Sequence, residues 1–492
     1  MNLNDIYLLS PEITVACLAA IIIIVDLFFK NKKIIPLITA AGIILSFLLT
    51  VHLHLNPDIT ANSTGFFNSF NADKFGLFFK YIILSTVLVI VLYSYDYAEK
   101  FENHQGEYYS LLLFSASGMM LLASATELIT LYVALELTSL PSAALVALKR
   151  SRNAAEAGIK FLLLSAISSA ILLYGMVLLY GFTGSSYLNE IATQISQSNL
   201  ISNPAILLSI ILITAGFGFK ISAAPFQMWA PDVYEGAPTP ITAFLSVASK
   251  AAGFALAIRI FYPVFSDTEI SMEWGQIIAI LSVLSMSLGN LIAIKQKNIK
   301  RLLAYSTIAQ AGYIMVGLAA MSVPGTEYDS GPAGILFYLA GYAMTNLTAF
   351  GIIILVCSKT ENYSISKFSN LLKTSPVLAV AMTLSMLSLI GIPPTVGFIG
   401  KVYLFSAAID SGLTWLAIFG VLNSVVSAYY YLNIVKIMFM GSSEENQDNV
   451  SDSIPIKIGF ITAISAAVAT FIFGLYPEPI INLANTAIQS II

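Results

Sequence analysis

The sequence predicts an all-α polytopic membrane protein of about fourteen transmembrane helices, with two inverted five-helix repeats and broken helices 7, 8 and 12. Three observations predict it. Only 10% of the 492 residues are charged and 57% are hydrophobic, against a charged share of about 25% in soluble domains. Apolar runs such as Ile21–Val25 recur along the whole chain, with mean hydropathy +0.83. Basic residues crowd into every second loop. This balance excludes a soluble enzyme, a disordered chain and, at net charge −4, a nucleic-acid binder.

A bilayer core needs about 20 apolar residues per helix. Runs bounded by charge, Pro, Gly and Asn give spans at 11–29, 34–54, 77–95, 108–125, 128–148, 157–182 and 204–226, then 241–264, 274–294, 301–322, 332–357, 376–409, 413–440 and 455–476. They are long and continuous, without the ten-residue alternation of a barrel. No Lys or Arg precedes the first run, so it reads as a span and not a cleavable signal. The loops after odd-numbered spans hold fifteen Lys and Arg, including Lys30, Lys100, Lys149, Lys297 and Lys359; the opposite loops hold only Lys74. The positive-inside rule puts the basic side in the cytoplasm and both termini outside.

Charges inside the spans carry the functional reading. Lys80, Arg259 and Lys436 stand near span ends, where a long side chain is expected to snorkel to the interface. Glu136, Lys220 and Lys250 stand near span centres, and a central charge costs about 2.5–3.5 kcal/mol even on lenient insertion scales. Such a cost persists with pairing, internal water or a function. Lys160 is ambiguous: Glu156 one turn earlier makes it either a structural ion pair or part of the site. Cys17 and Cys357 lie in apolar runs and form no metal site. No span carries haem, flavin, nucleotide or iron–sulfur ligands.

The run from Thr374 to Asp410 would be about 54 Å long as one helix, well beyond a bilayer core of about 30 Å. It should break at Ile392-Pro393-Pro394-Thr395-Val396-Gly397, beside Lys401. Similar signatures are Ala224-Pro225 after Lys220 and Pro238-Thr239-Pro240 before Lys250. Discontinuous helices beside buried charges mark ion sites in transporters. Equivalent breaks in the seventh and twelfth spans imply an internal inverted duplication. The expected units are a three-helix segment 1–106, repeats 107–270 and 271–442, and a C-terminal span in 443–492. One carboxylate and three lysines in a row suit proton transfer, because burial and a movable counter-charge shift a lysine's proton affinity in opposite directions.

At Pro225-Phe226-Gln227-Met228-Trp229-Ala230-Pro231-Asp232-Val233-Tyr234-Glu235-Gly236 the chain resembles the subunit N family of proton-translocating NADH:quinone oxidoreductases, respiratory complex I. Further matching stretches are Leu135-Glu136-Leu137, Lys300-Arg301-Leu302-Leu303-Ala304-Tyr305-Ser306, and Gly391 to Lys401. The resemblance implies an antiporter-like proton-translocating subunit of the inner or plasma membrane, an enzyme subunit without its own redox centre. Its site residues would be Glu136, Lys220, Lys250 and Lys401, with Lys160 as the sixth-span lysine. NADH, FMN, iron–sulfur clusters and quinone would belong to partner subunits of the membrane-embedded complex. Gln227 and Gln310 stand where relatives usually or often carry histidine, and glutamine cannot exchange a proton near pH 7. Two other readings remain at this stage: an autonomous secondary cation/proton antiporter, and a scaffold whose charges only hold helices together.

Overall fold

The computed structural model describes residues 3–29, 32–56, 64–197, 203–266, 268–323, 330–358, 360–440 and 457–491. Lys30 and Lys359, counted above among the basic loop residues, lie outside them, as does the 443 boundary. The described chain is helical apart from a two-residue strand pair, Thr64–Gly65 with Phe70–Asn71. Among the described residues, twelve helices are long and apolar enough to cross a membrane. Two sequence-derived spans fall outside that set. Gln105–Ser124 is helical but carries Gln105, Glu107 and several serines. The 376–409 run is split into Pro376–Ile390 and Val396–Asp410.

Local chemistry fixes the helix ends. The Asp73, Ser151, Asn203 and Asn298 side chains each accept from a free amide in the first turn of the helix that follows, the usual N-cap role of short polar side chains. The 376–390 helix ends at Gly391, whose φ of +90° favours glycine. A Cβ on Gly397 would sit 2.0 Å from the Ser388 carbonyl oxygen, so only glycine lets the two half-helices of the twelfth span cross this closely.

The seventh and twelfth spans are broken as expected. The seventh is Pro204–Ile221, an irregular link, then the short helix Trp229–Gly236. The expected break in the eighth does not occur. Thr239–Val264 is continuous through Lys250, and Pro240 sits in its first turn. A first-turn proline removes an amide that had no helical partner anyway, so it starts a helix without breaking it.

The 239–264 helix is the centre of the molecule: its apolar window is fully buried, against 28% for the peripheral Ile458–Leu475. Its many alanines and serines let neighbouring backbones approach closely, the usual route to helix packing in lipid.

The snorkelling expectation fails for two of its three residues. Lys80 is fully buried and pairs with buried Glu12 of the Ser10–Phe28 helix at 2.7 Å. Arg259 is buried in a two-pronged pair with Asp73, at 2.5 and 2.6 Å, and also donates to the Ala123 carbonyl. Distance to the end of a residue's own span ignores what packs around that end. Lys436 is exposed, as expected.

Candidate functional site

The three central lysines are buried, and among the described residues none has a carboxylate within ion-pair distance. Lys220, in the last turn of Pro204–Ile221, donates to the Thr138 and Ser139 hydroxyls of Leu128–Ala147, the latter at 3.1 Å. Glu136 lies two and three residues before those hydroxyls. It is partly exposed and accepts from Ser169 of the Arg152–Thr183 helix. A small cavity between them is lined by Ser139, Ser165, Ser168, Ser169 and Lys220. It has room for about one water molecule. Lys220 thus lines this cavity, and Glu136 is tied to its wall through Ser169.

Lys250 projects from Thr239–Val264 onto the broken end of the seventh span. It donates to the Ile221 carbonyl and, at 2.9 Å, to the Ser222 hydroxyl. A helix C-terminus leaves carbonyls unpaired and carries a partial negative charge, so an ammonium there satisfies both. Three residues on, Gly253 packs against Ile221 and the stem of Lys220. This contact brings the two lysines to the same helix end.

Lys401, in the second turn of Val396–Asp410, does the same for the twelfth span. Its ammonium donates to the Leu389 carbonyl at 3.1 Å, the Ile390 carbonyl at 2.9 Å and the Ser424 hydroxyl at 3.0 Å. It also lies 4.0 Å from the ring centroid of Tyr313, close enough for a cation–π contact. Gln310 sits beside it: its amide nitrogen donates to the same Leu389 carbonyl at 3.0 Å, and its oxygen accepts from Tyr338. Gln227 lies in the irregular link of the seventh span, where its side-chain oxygen is buried without a hydrogen-bond partner among the described residues.

The structure does not place Lys160 with these lysines. Its side chain is 43% exposed and is held by Glu156 at 2.7 Å and Asp232 at 2.9 Å. Asp232 also binds Arg301 at 2.9 Å, and Arg301 reaches Glu235 at 2.8 Å. Burial pushes the Asp232 carboxyl up, but its hydrogen-bonded pairs with Lys160 and Arg301 outweigh this and hold it below the usual carboxylate range. Buried Lys300 donates to the Glu235 and Ala237 carbonyls at the end of the same short helix. A basic pair that reads as a loop charge is thus a joint between the two halves of the chain.

Sequence reading also missed a hydroxyl-rich cluster beside Lys401. Ser306, Thr307, Gln310 and Tyr313 lie on one face of Ile299–Ala320. Tyr338 and Tyr342 of Ser330–Cys357 meet them: Tyr342 donates to Thr307 at 3.1 Å, and Tyr431 hydrogen-bonds Ser306. The signal was present as polar residues at three- and four-residue spacing within apolar helices.

Residues 125–427 match the family model described as NADH:quinone oxidoreductase/Mrp antiporter, transmembrane. The chain is 43% identical over 491 residues to NADH-quinone oxidoreductase subunit N of Dehalococcoides mccartyi, covering 99% of both. It is 42% identical over 495 residues to subunit N of Trichlorobacter lovleyi, covering 100% of this chain and 98% of that one. A chain of respiratory complex I from Thermus thermophilus superimposes with TM-score 0.78 at 30% identity, covering 96% of this chain and 98% of that one. A chain of the archaeal membrane-bound sulfane sulfur reductase superimposes with TM-score 0.86 at 25% identity, covering 100% and 98%. The chain belongs to the NADH-quinone oxidoreductase subunit N family, the antiporter-like membrane subunits of complex I.

Proposed function

We propose that this chain, a translocase subunit of NADH:quinone oxidoreductase, moves protons through a relay of Glu136, Lys220, Lys250 and Lys401. Lys160 and Asp232 serve it at the water-facing edge. Quinone reduction elsewhere in the complex drives the relay, and NADH, FMN, iron–sulfur clusters and quinone reside in partner subunits. One observation carries this reading: three buried ammonium groups are held by hydroxyls and helix-end carbonyls, with no carboxylate among the described residues locked to any of them. A locked ion pair would keep its proton; a lysine held by dipoles can give it up when the field changes. Glu136, one pocket away from Lys220, supplies the movable counter-charge.

Glu136→Gln and Lys220→Ala should each slow proton-coupled quinone reduction about a hundredfold or more, the lower end of what a positioned proton donor contributes, with the complex still assembled. Normal coupling in both variants would end the relay reading. Loss of assembly in both would favour charges that only hold helices together.

The reading includes fourteen crossings, with Gln105–Ser124 and the 376–410 pair as the further two. It divides the chain at 1–106, 107–270, 271–442 and 443–492, the middle two being inverted copies. It also puts both termini on the outer face of the cell membrane, from the basic asymmetry of the loops. In a chain lacking Cys17 and Cys357, an impermeant thiol reagent on intact cells should label Ser10→Cys and spare Ser151→Cys. The reverse pattern would overturn this orientation.

A further inference from the structure

We propose that Lys300 is a further proton carrier of this relay, taking protons up on the basic-loop side and delivering them to Lys250. The inference rests on the relay and orientation readings above. Among the described residues five lysines are buried: Lys80, Lys220, Lys250, Lys300 and Lys401. Lys80 is locked to Glu12. Lys300 is like the other three. It is 1% exposed, and no carboxylate among the described residues lies within ion-pair distance of it. Its ammonium donates to the Glu235 carbonyl at 2.9 Å and the Ala237 carbonyl at 2.6 Å, and lies 4.7 Å from the ring centroid of Tyr363. An ammonium has three N–H donors; a neutral amine has two, enough for both carbonyls. The site keeps its two hydrogen bonds whether or not the third proton is present.

Position separates Lys300 from the central lysines. It is the second residue of Ile299–Ala320, directly after the loop that holds Lys295 and Lys297. Its neighbour Arg301 and its partner Glu235 form a part-exposed pair at 2.8 Å. These groups are charged and stand at a loop, so they face water and not lipid. The charged groups that act on Lys300 are Lys149, Glu235 and Glu361, and Cys357 is a further titratable neighbour beside Tyr363. Glu235 is taken by Arg301, and Glu361 by Lys149 at 2.6 Å. Inward, Ala237 stands two residues before the central helix. Thr239, Thr242, Ser246 and Lys250 follow at three- and four-residue spacing, all buried, and so share one face. Thr239 also donates to the Tyr363 hydroxyl at 3.1 Å. A row of hydroxyls therefore leads from the Lys300 end of this helix to Lys250.

In the step, an Nζ–H bond of Lys300 breaks and its electron pair stays on nitrogen. The hydroxyls of the row accept and donate in turn, with one bridging water for each helical turn of about 5.4 Å. A new N–H bond forms on the neutral amine of Lys250. Lys300 then takes a proton from a hydronium ion at the charged edge, which leaves as water. Nothing is oxidised or reduced.

The test compares Lys300→Arg with Lys300→Met in the reconstituted complex, with assembly measured for each. Arginine keeps the cation and the donors but does not release a proton. Both variants should pump about a hundredfold or more slower than the parent. Pumping by Lys300→Arg within about twofold of the parent overturns the proposal, because a fixed cation then suffices as a helix cap. Such pumping by Lys300→Met overturns it as well. A second variant leaves Lys300 in place. Glu361→Gln frees the Lys149 cation nearby, which lowers the affinity of Lys300 for a proton. The alkaline limb of the pumping rate against pH should move down by about 0.5 pH unit, the effect of one part-exposed charge. An unmoved limb overturns the proposal, even where Lys300→Arg does not assemble. Lys220→Arg is run alongside. If it pumps normally, the relay reading itself fails; if it is inactive while Lys300→Arg matches the parent, only the role of Lys300 falls.

Discussion

The two broken spans solve the same problem with different residues. In the first half, the broken end at Ile221 is capped by Lys250, which comes from the next helix, while Lys220 turns to hydroxyls with Glu136 behind them. In the second half, Lys401 caps the broken end itself, and Tyr313 covers its other side. A lysine beside a break therefore does not have one fixed role. Lys220 is held by hydroxyls, with a carboxylate on the same helix as those hydroxyls. Lys401 is held by helix-end carbonyls, a hydroxyl and an aromatic face. A helix C-terminus is equivalent to roughly half a negative charge, enough to favour an ammonium without neutralising it. One half sets a carboxylate near its cation; the other offers constant dipoles.

The largest expected effect tests the constant side. Lys401→Ala should slow pumping about a hundredfold or more. It should also lower stability by about 1–3 kcal/mol, because two buried carbonyls lose a donor. Pumping and thermal inactivation of the reconstituted complex read both. A stability loss with normal pumping would make Lys401 a cap and nothing more.

A smaller effect is expected at Gln310, which shares the Leu389 carbonyl with Lys401. Gln310→Leu should slow pumping about three- to tenfold at every pH, as expected for loss of one hydrogen bond worth about 0.6–1.5 kcal/mol. Gln310→His should match the parent at high pH. Below the unperturbed histidine pKa of about 6.5 the ring is cationic and repels Lys401, so pumping should fall as the pH drops. A rise in the acid range would mean that the second half accepts an added proton carrier and is not limited to fixed dipoles.

The smallest effect lies at the water-facing edge. Asp232→Asn should cost no more than about 1 kcal/mol, since its pairs with Lys160 and Arg301 are solvent-screened. The folded carboxyl lies below its ordinary value, so its contribution is present above the unfolded pKa of about 4 and is lost as the pH falls through the folded value. Stability curves for parent and variant should therefore differ above that range and converge below it. A tenfold pumping defect in Asp232→Asn would instead move the edge cluster into the relay.

Much of this was legible in the sequence, for identifiable reasons. Glu136, Lys220, Lys250 and Lys401 stand out because each is far from the next charge along an apolar run. Their partners do not stand out, because they come from remote segments: Ser139 is 81 residues from Lys220, and Ser424 is 23 from Lys401. The same blindness to neighbours made Lys80 and Arg259 look like interface residues, although Glu12 and Asp73 hold them in the interior. Pro393-Pro394 was a sound break signal because the apolar run continues on both sides. Pro238 and Pro240 follow the Trp229–Gly236 helix and open the next one, where proline is at home.

The two buried salt bridges of the N-terminal segment bear on how the chain is made. Lys80 enters the bilayer on the Lys74–Tyr97 helix, and its ion-pair partner, Glu12, arrived two spans earlier. Asp73, at the head of that helix, waits for Arg259, which is synthesised 186 residues later. A buried charge without its partner is strongly destabilising, by about 3–5 kcal/mol. The nascent chain therefore carries an unpaired Asp73 through the insertion of five further helices. That carboxylate stays uncovered until the helix carrying Arg259 closes over it.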